Sequence, residues 1–251
     1  MPDTCHPNRL LARWRGVLLS ALISTPCLAQ TEKLSLVTAT LPPMTAAANQ
    51  PGFLDLLAGA LFKRVGIEVK LTSVPAERAL INVSAGIDDG DMFRDARVEQ
   101  AYPSLLRVPE PVLAYDFVAY TSNPDIRIQD WADLKPYTVA YPSGWKIYES
   151  NVRDVKGVTL TPSIHGLFPL LGKGRVDVIL MDRWSGQWLI RQDGLVLKPM
   201  EPPLARVDMF LFLNKKHAAL VPKLAQALRD MKADGSYKKI YDTTLKPLDP
   251  R

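Results

Sequence analysis

Residues 143–146 read Ser-Gly-Trp-Lys, a Ser-x-x-Lys spacing that on a helix places a hydroxyl beside an amine. A serine nucleophile also needs an oxyanion hole and further partners. The chain has no Ser-Asp-Asn or Lys-Thr-Gly element to supply them. Ser143 and Gly144 therefore read as part of a loop between a strand and a helix whose N–H groups cradle an anion. Trp145 is placed either to lay its ring over a ligand or to fill the gap between helix and sheet.

Guanidinium groups are the other chemical resource. Arg94 follows the short strand expected over 91–93 and is suited to bidentate carboxylate recognition. Arg97 lies one helical turn later and competes for that role, with a surface ion pair to Asp95 or Glu99 as the alternative. Arg78 sits in the first turn of an expected helix, where the macrodipole disfavours a cation. Either an anionic ligand or a neighbouring carboxylate accounts for it.

Other chemistry is thin. His165 and His217 are far apart, and both cysteines, Cys5 and Cys27, lie near the N-terminus, so no zinc site is expected. Asp88-Asp89-Gly90-Asp91 lacks EF-hand spacing and reads as a polar turn entering a strand. Gly172-Lys-Gly-Arg175 is not a P-loop. No cofactor is expected.

The first 29 residues have the pattern of a cleavable signal peptide: Arg9, Arg13 and Arg15, the apolar run 16–23, and Ala29 at the cleavage point. The expected location is the periplasm, with the mature chain starting at Gln30. The 31 Lys and Arg against 26 Asp and Glu give +5. Removing three Arg and one Asp with residues 1–29 leaves +3, scattered without a basic stripe, which excludes a nucleic-acid footprint.

Patterning then supplies the elements that position these residues. Lys33–Thr38 alternates as a strand; Phe53, Leu56, Leu57, Ala60 and Leu61 mark a helix stopped by Gly66; Ile67–Thr72 alternates again. Strand, helix, strand implies a parallel βαβ unit. A helix over 77–84 follows. The rhythm returns with strands over 137–141 and 176–181 and a helix over 167–171. Extended stretches over 111–120 and 207–213 join the two blocks, and a last helix carries Leu220, Leu224, Leu228 and Met231. The expectation is an α/β protein of two Rossmann-like lobes joined by a two-strand hinge, with 30–116 and 205–251 as one lobe and 117–204 as the other.

Three segments, Pro51-Gly-Phe-Leu-Asp-Leu-Leu-Ala-Gly, Pro75-Ala-Glu-Arg78-Ala-Leu with Gly86-Ile-Asp-Asp-Gly90, and Gly174-Arg-Val-Asp177-Val-Ile, resemble the type II periplasmic solute-binding proteins, in particular extracellular solute-binding protein family 3. The resemblance implies a small polar, carboxylate-bearing, amino-acid-like ligand, an ABC transporter permease as partner, a monomer, and no enzyme activity. It places Asp182 where the family holds the ligand's amino group; a helix N-cap is the alternative. The family's Thr-Pro-x-Arg and Ser-Gly-Thr-Thr-like segments are replaced by Met92-Phe-Arg94-Asp-Ala-Arg97 and Ser143-Gly-Trp-Lys146. An enzyme such as a dehydratase or lyase on the same scaffold, or a sensory module for a membrane receptor, are the alternative functions.

Overall fold

The computed structural model describes residues 33–39, 41–47 and 50–249. The expected signal peptide lies outside them. Among the described residues nine strands form one mixed sheet, in the order β2-β1-β3-β9-β5-β8-β6-β7 with β4 also on β9. At one end β1 (Lys33–Thr38) is parallel to both β2 (Glu68–Ser73) and β3 (Gly90–Asp95). At the other, β6 (Thr138–Pro142) is parallel to both β7 (Gly157–Thr161) and β8 (Val178–Asp182). Between them run two antiparallel strands, β5 (Leu113–Tyr120) and β9 (Ala205–Asn214).

Each central strand serves both ends. The first half of β9 pairs with β5, and its second half pairs with β3 and with β4 (Leu105–Arg107). β5 pairs with β9 up to Phe117 and with β8 from Phe117 on. The chain therefore passes from one parallel end to the other along two extended strands.

Helices fill the crossovers. α1 (Phe53–Arg64) forms where expected, but its buried face is rotated: Phe53, Leu57 and Leu61 point inward with Leu54, Ala58 and Phe62, whereas Leu56 is exposed and Ala60 half-buried, because the sheet covers the side that carries Leu54 and Phe62. α2 (Ala76–Ser84) buries Ala79, Leu80 and Val83. A single turn, α3 (Val98–Ala101), precedes β4, and α4 (Lys146–Asn151) follows β6. α5 (Leu167–Gly172) leads to β8, and α6 (Arg183–Gln192) starts directly from the end of β8. α7 (Val221–Ala233) buries Leu224, Leu228 and Met231 as its spacing requires.

Gly235 reads as the end of the chain's last helix, but a further helix, α8 (Ser236–Thr244), begins at once. Gly235 takes φ +81°, a left-handed conformation that costs glycine little, and the Ser236 N–H donates to the Asp234 carboxylate at 2.9 Å, restarting the helix. α8 then touches both halves of the protein. Tyr237 packs edge-on against Phe53 of α1 at 5.7 Å, and Tyr241 against Trp184 of α6 at 5.8 Å. Trp184 is accordingly a packing residue, as its i, i+4 spacing with Trp188 indicates.

The second end of the sheet is closed by an intimate helix–strand contact. A Cβ at Gly186 of α6 would fall on the Tyr120 hydroxyl and lie 2.6 Å from the ring Cζ. Overpacking of this kind costs about 1–3 kcal/mol. Gly186→Ala should therefore lower the unfolding free energy from urea titration by that order and shift the midpoint down, and Tyr120→Phe, which removes only the nearest atom, should recover part of the loss. An unchanged midpoint for Gly186→Ala would show that α6 can lift from β5 without cost.

Candidate functional site

The carboxyl ends of β1, β3 and β6 face one another across a cleft of about 240 Å³. Ligands in open α/β sheets bind at such strand ends. Thr38 and Ala39 enter from β1, Phe93, Arg94 and Asp95 from β3, and Gly144, Trp145 and Lys146 from the loop after β6. Tyr115 and Phe117 of β5 with Val207 and Met209 of β9 make the wall between them.

A β-bulge sets the geometry at Arg94. Asp91 pairs with Phe212 and Arg94 with Phe210, so three steps along β3 match two along β9. In a regular strand residues three apart point to opposite faces; the extra residue reverses that parity. Arg94 thereby comes back over Asp91, and its Nε donates to the Asp91 carboxylate at 2.6 Å. Its Nη2 donates to the Ala76 carbonyl at 2.7 Å, tying β3 to the start of α2. Asp91 is wholly buried, which pushes its carboxyl above the ordinary range despite the opposing pull of Arg94. The guanidinium itself, 14% exposed, reaches the cleft with two of its nitrogens fixed.

Arg97 also lines the cleft, but it closes on its own strand. Nε and Nη2 hold the two oxygens of Asp95 at 2.9 and 3.1 Å. Burial alone would raise the Asp95 carboxyl; the bonds from Arg97 outweigh it and hold the group below its ordinary value. The surface ion pair and the cleft position, posed as alternatives by the sequence, both occur.

The loop after β6 departs from the expected cradle. Gly144 takes φ +82° and its N–H donates to Glu149 Oε1 at 2.9 Å, so the amide expected to receive an anion is satisfied within the loop. Lys146 Nζ donates to the other oxygen of Glu149 at 2.8 Å. The Ser-x-x-Lys pair is thus broken up: the amine serves Glu149, and Ser143 is exposed and outside the cleft lining. Trp145 does line it. Its ring stacks on Tyr148 at 5.8 Å and 6° and stands edge-on to Phe117 at 6.2 Å, so it is packed and presented at the same time.

Arg78 is exposed on α2 and does not line the cleft. Asp182 is wholly buried as the last residue of β8, and it too is absent from the lining. It caps α6 by accepting from the Ser185 N–H at 2.8 Å. Its second oxygen, with the Tyr115 and Ser185 hydroxyls beside it, is buried without a well-formed hydrogen bond. Burial raises the Asp182 carboxyl, and burial together with the nearby Asp182 charge raises the Tyr115 phenol well above its ordinary value. Tyr115 therefore stands between this carboxyl and the cleft.

The residues that sequence reasoning missed are mostly aromatic. Phe93, Tyr115 and Phe117 follow one another edge-to-face, with centroids 5.0 and 5.5 Å apart, and Trp145 continues the row. Tyr115 and Phe117 share one face of β5 by their i, i+2 spacing, a signal present in the sequence. Which face borders a cleft is decided by the partner strands. Among the described residues there is no group of histidine, cysteine, aspartate and glutamate able to hold a metal.

No protein-family model matches the chain. An uncharacterised protein of Shewanella oneidensis is 27% identical over 192 residues, covering 74% of this chain and 73% of its own. Among solved structures, an ancestral arginine-binding protein bound to arginine superposes with a TM-score of 0.70 at 22% identity, covering 84% of this chain and 97% of its own. An ancestral amino-acid-binding protein that is a precursor of cyclohexadienyl dehydratase superposes at 0.68 and 18% identity, covering 85% and 95%. The fold of this chain is the type II periplasmic-binding-protein fold expected from its motifs.

The raised Asp182 carboxyl has a definite sign in stability. Below its ordinary value of 3.8 both the folded and the unfolded chain hold the proton, and the folded state carries no penalty. As pH rises from 3.8 to the folded-state value, the unfolded chain ionises while the folded chain keeps its proton, so stability is lost across that window until the buried charge forms. Asp182→Asn keeps a good N-cap and removes the titration. Urea midpoints measured at steps from about pH 4 to neutrality should shift progressively in favour of the variant. A pH-independent difference would show that Asp182 titrates alike in both states.

Proposed function

We propose that this chain is an exported binding protein that takes a small carboxylate-bearing ligand into the cleft, closes its two lobes over it along the β5 and β9 crossovers, and delivers it to an ABC importer. The cleft carries this reading: it joins a basic rim of Arg94, Arg97 and Lys146 to an aromatic wall at the strand ends of an open α/β sheet. The resemblance to family 3, and the arginine bound by the ancestral protein of like fold, support a ligand bearing a carboxylate. Closure is a shift between open and liganded forms, driven by contacts that exist only when both lobes touch the ligand.

Binding rather than catalysis is favoured by how the titratable groups are committed. General acid–base chemistry needs a group poised to exchange a proton with the substrate. Of the acids lining the cleft there is Asp95, held ionised by Arg97, and the Lys146 amine is engaged by Glu149. The dehydratase-precursor likeness is what keeps the enzyme alternative in view, and these pairings weigh against it.

Opposite substitutions in one ion pair test the anionic ligand. Asp95→Asn releases Arg97 and should tighten carboxylate binding, whereas Arg97→Gln leaves the Asp95 charge unpaired and should weaken it, each by about 0.5–1.5 kcal/mol. Isothermal titration with the small carboxylate found by mass spectrometry of natively purified protein gives both values. Shifts of equal sign, or none, would remove the anionic ligand from the reading. Export and delivery are tested separately: the mature protein should be recovered from periplasmic extract with Gln30 at its N-terminus, as a monomer, and should cross-link to its permease only with ligand present.

A further inference from the structure

The composition of the cleft narrows the ligand further, on the premise that the cleft is the ligand site. An α-amino acid presents an ammonium as well as a carboxylate, and each must find an opposite charge once water is excluded. The cleft has a carboxylate partner in the Arg94 guanidinium. Among the described residues it has no free carboxylate as counterpart for an ammonium. Asp95 is the acid among its lining residues, and both oxygens are taken by Arg97 at 2.9 and 3.1 Å. Asp182 is sealed beneath Tyr115 with no exposed surface, and one of its oxygens already caps α6.

The alternative host for a cation is the aromatic wall. A cation over an aromatic face gains roughly 0.5–2 kcal/mol. Desolvating an ammonium without a partner costs several kcal/mol, and the carboxylates nearest the cleft are already engaged by Arg94, Arg97 and Lys146. The penalty wins. What the wall does accommodate is a flat apolar body: Phe93, Phe117 and Trp145 offer ring edges and faces, and Met44 and Met209 fill beside them with soft thioethers. At about 240 Å³ the space suits a single ring with a short acidic arm rather than a larger molecule.

We infer that this cleft selects an aromatic monocarboxylate lacking an α-ammonium group, held by Arg94 at the carboxylate and by the Phe93–Phe117–Trp145 wall at the ring.

Two probes differ by the ammonium alone: 3-phenylpropionate and L-phenylalanine. Titrated by calorimetry into the full mature protein after removal of bound ligand, 3-phenylpropionate should bind tighter by about tenfold or more. Hexanoate, which keeps the carboxylate without the ring, and 3-phenylpropan-1-ol, which keeps the ring without the carboxylate, should each bind more weakly than 3-phenylpropionate. Trp145→Leu should weaken 3-phenylpropionate more than hexanoate, a change that loss of folding would not produce; circular dichroism and the melting temperature verify the fold of the variant. L-Phenylalanine, L-arginine or L-glutamate binding as tightly as 3-phenylpropionate, or hexanoate equalling it, overturns the inference while leaving the cleft a carboxylate site. Tighter binding of choline overturns both the inference and the reading of the basic rim as an anion site. No binding by any of these carboxylates overturns the inference together with the proposed function.

Discussion

The pairing of Asp91 with Arg94 across the β3 bulge is the constraint on which the cleft depends. A carboxylate with no exposed surface is tolerable only if a cation and further donors meet it; losing one partner of such a pair costs about 3–5 kcal/mol. Here the cation is supplied three residues along the same strand, which regular β geometry forbids and one extra residue allows. The bulge thus does two things at once. It neutralises the interior at the end of β3, and it turns a guanidinium from the sheet toward the strand ends. The Ala76 carbonyl, bonded to the same guanidinium, fixes α2 to that position.

Around Arg94 the cleft follows one rule, that each charge brings its own partner. Arg97 is matched by Asp95 and Lys146 by Glu149, both within a few residues of chain. Local pairs of this kind hold polar side chains in place at small entropic cost and keep the cleft near neutrality. They also decide what a ligand finds: rigid donors on one rim, no unpaired carboxylate among the described lining residues, and an aromatic wall. The wall is stiff because its rings support one another edge-to-face, and Trp145 is stacked from behind by Tyr148.

Much of the fold was legible in the chain. The strands over Lys33–Thr38 and near 137–141, the α1 helix with Phe53, Leu57 and Leu61 inward, and the apolar stripe of α7 follow directly from period 2 and period 3.6, which report burial within one element. Elements whose burial is not periodic escaped. β7 is an edge strand with Val158 and Leu160 exposed, so its apolar residues mark no core. α8 hides behind Gly235, because the same left-handed glycine that ends one helix can open another. The bulge in β3 leaves no trace in residue type, since it is a mismatch between two strands rather than a property of either.

For the site, residue type alone determined that guanidinium groups, a tryptophan and a glycine turn would gather at strand ends, because the βαβ rhythm fixes where strand ends go. Tertiary structure decided which of them are available. Asp182 can serve as an N-cap or as a ligand partner by sequence, and only the packing of Tyr115 over it makes it a buried cap. Arg94 and Arg97 compete for one role by sequence, and only the bulge sends Arg94 to a buried carboxylate while Arg97 stays on Asp95. Sequence fixes chemical capacity and local period; a partner's identity is a property of three-dimensional neighbours, and so the charge balance of the cleft emerges only when strands distant in the chain are brought into register.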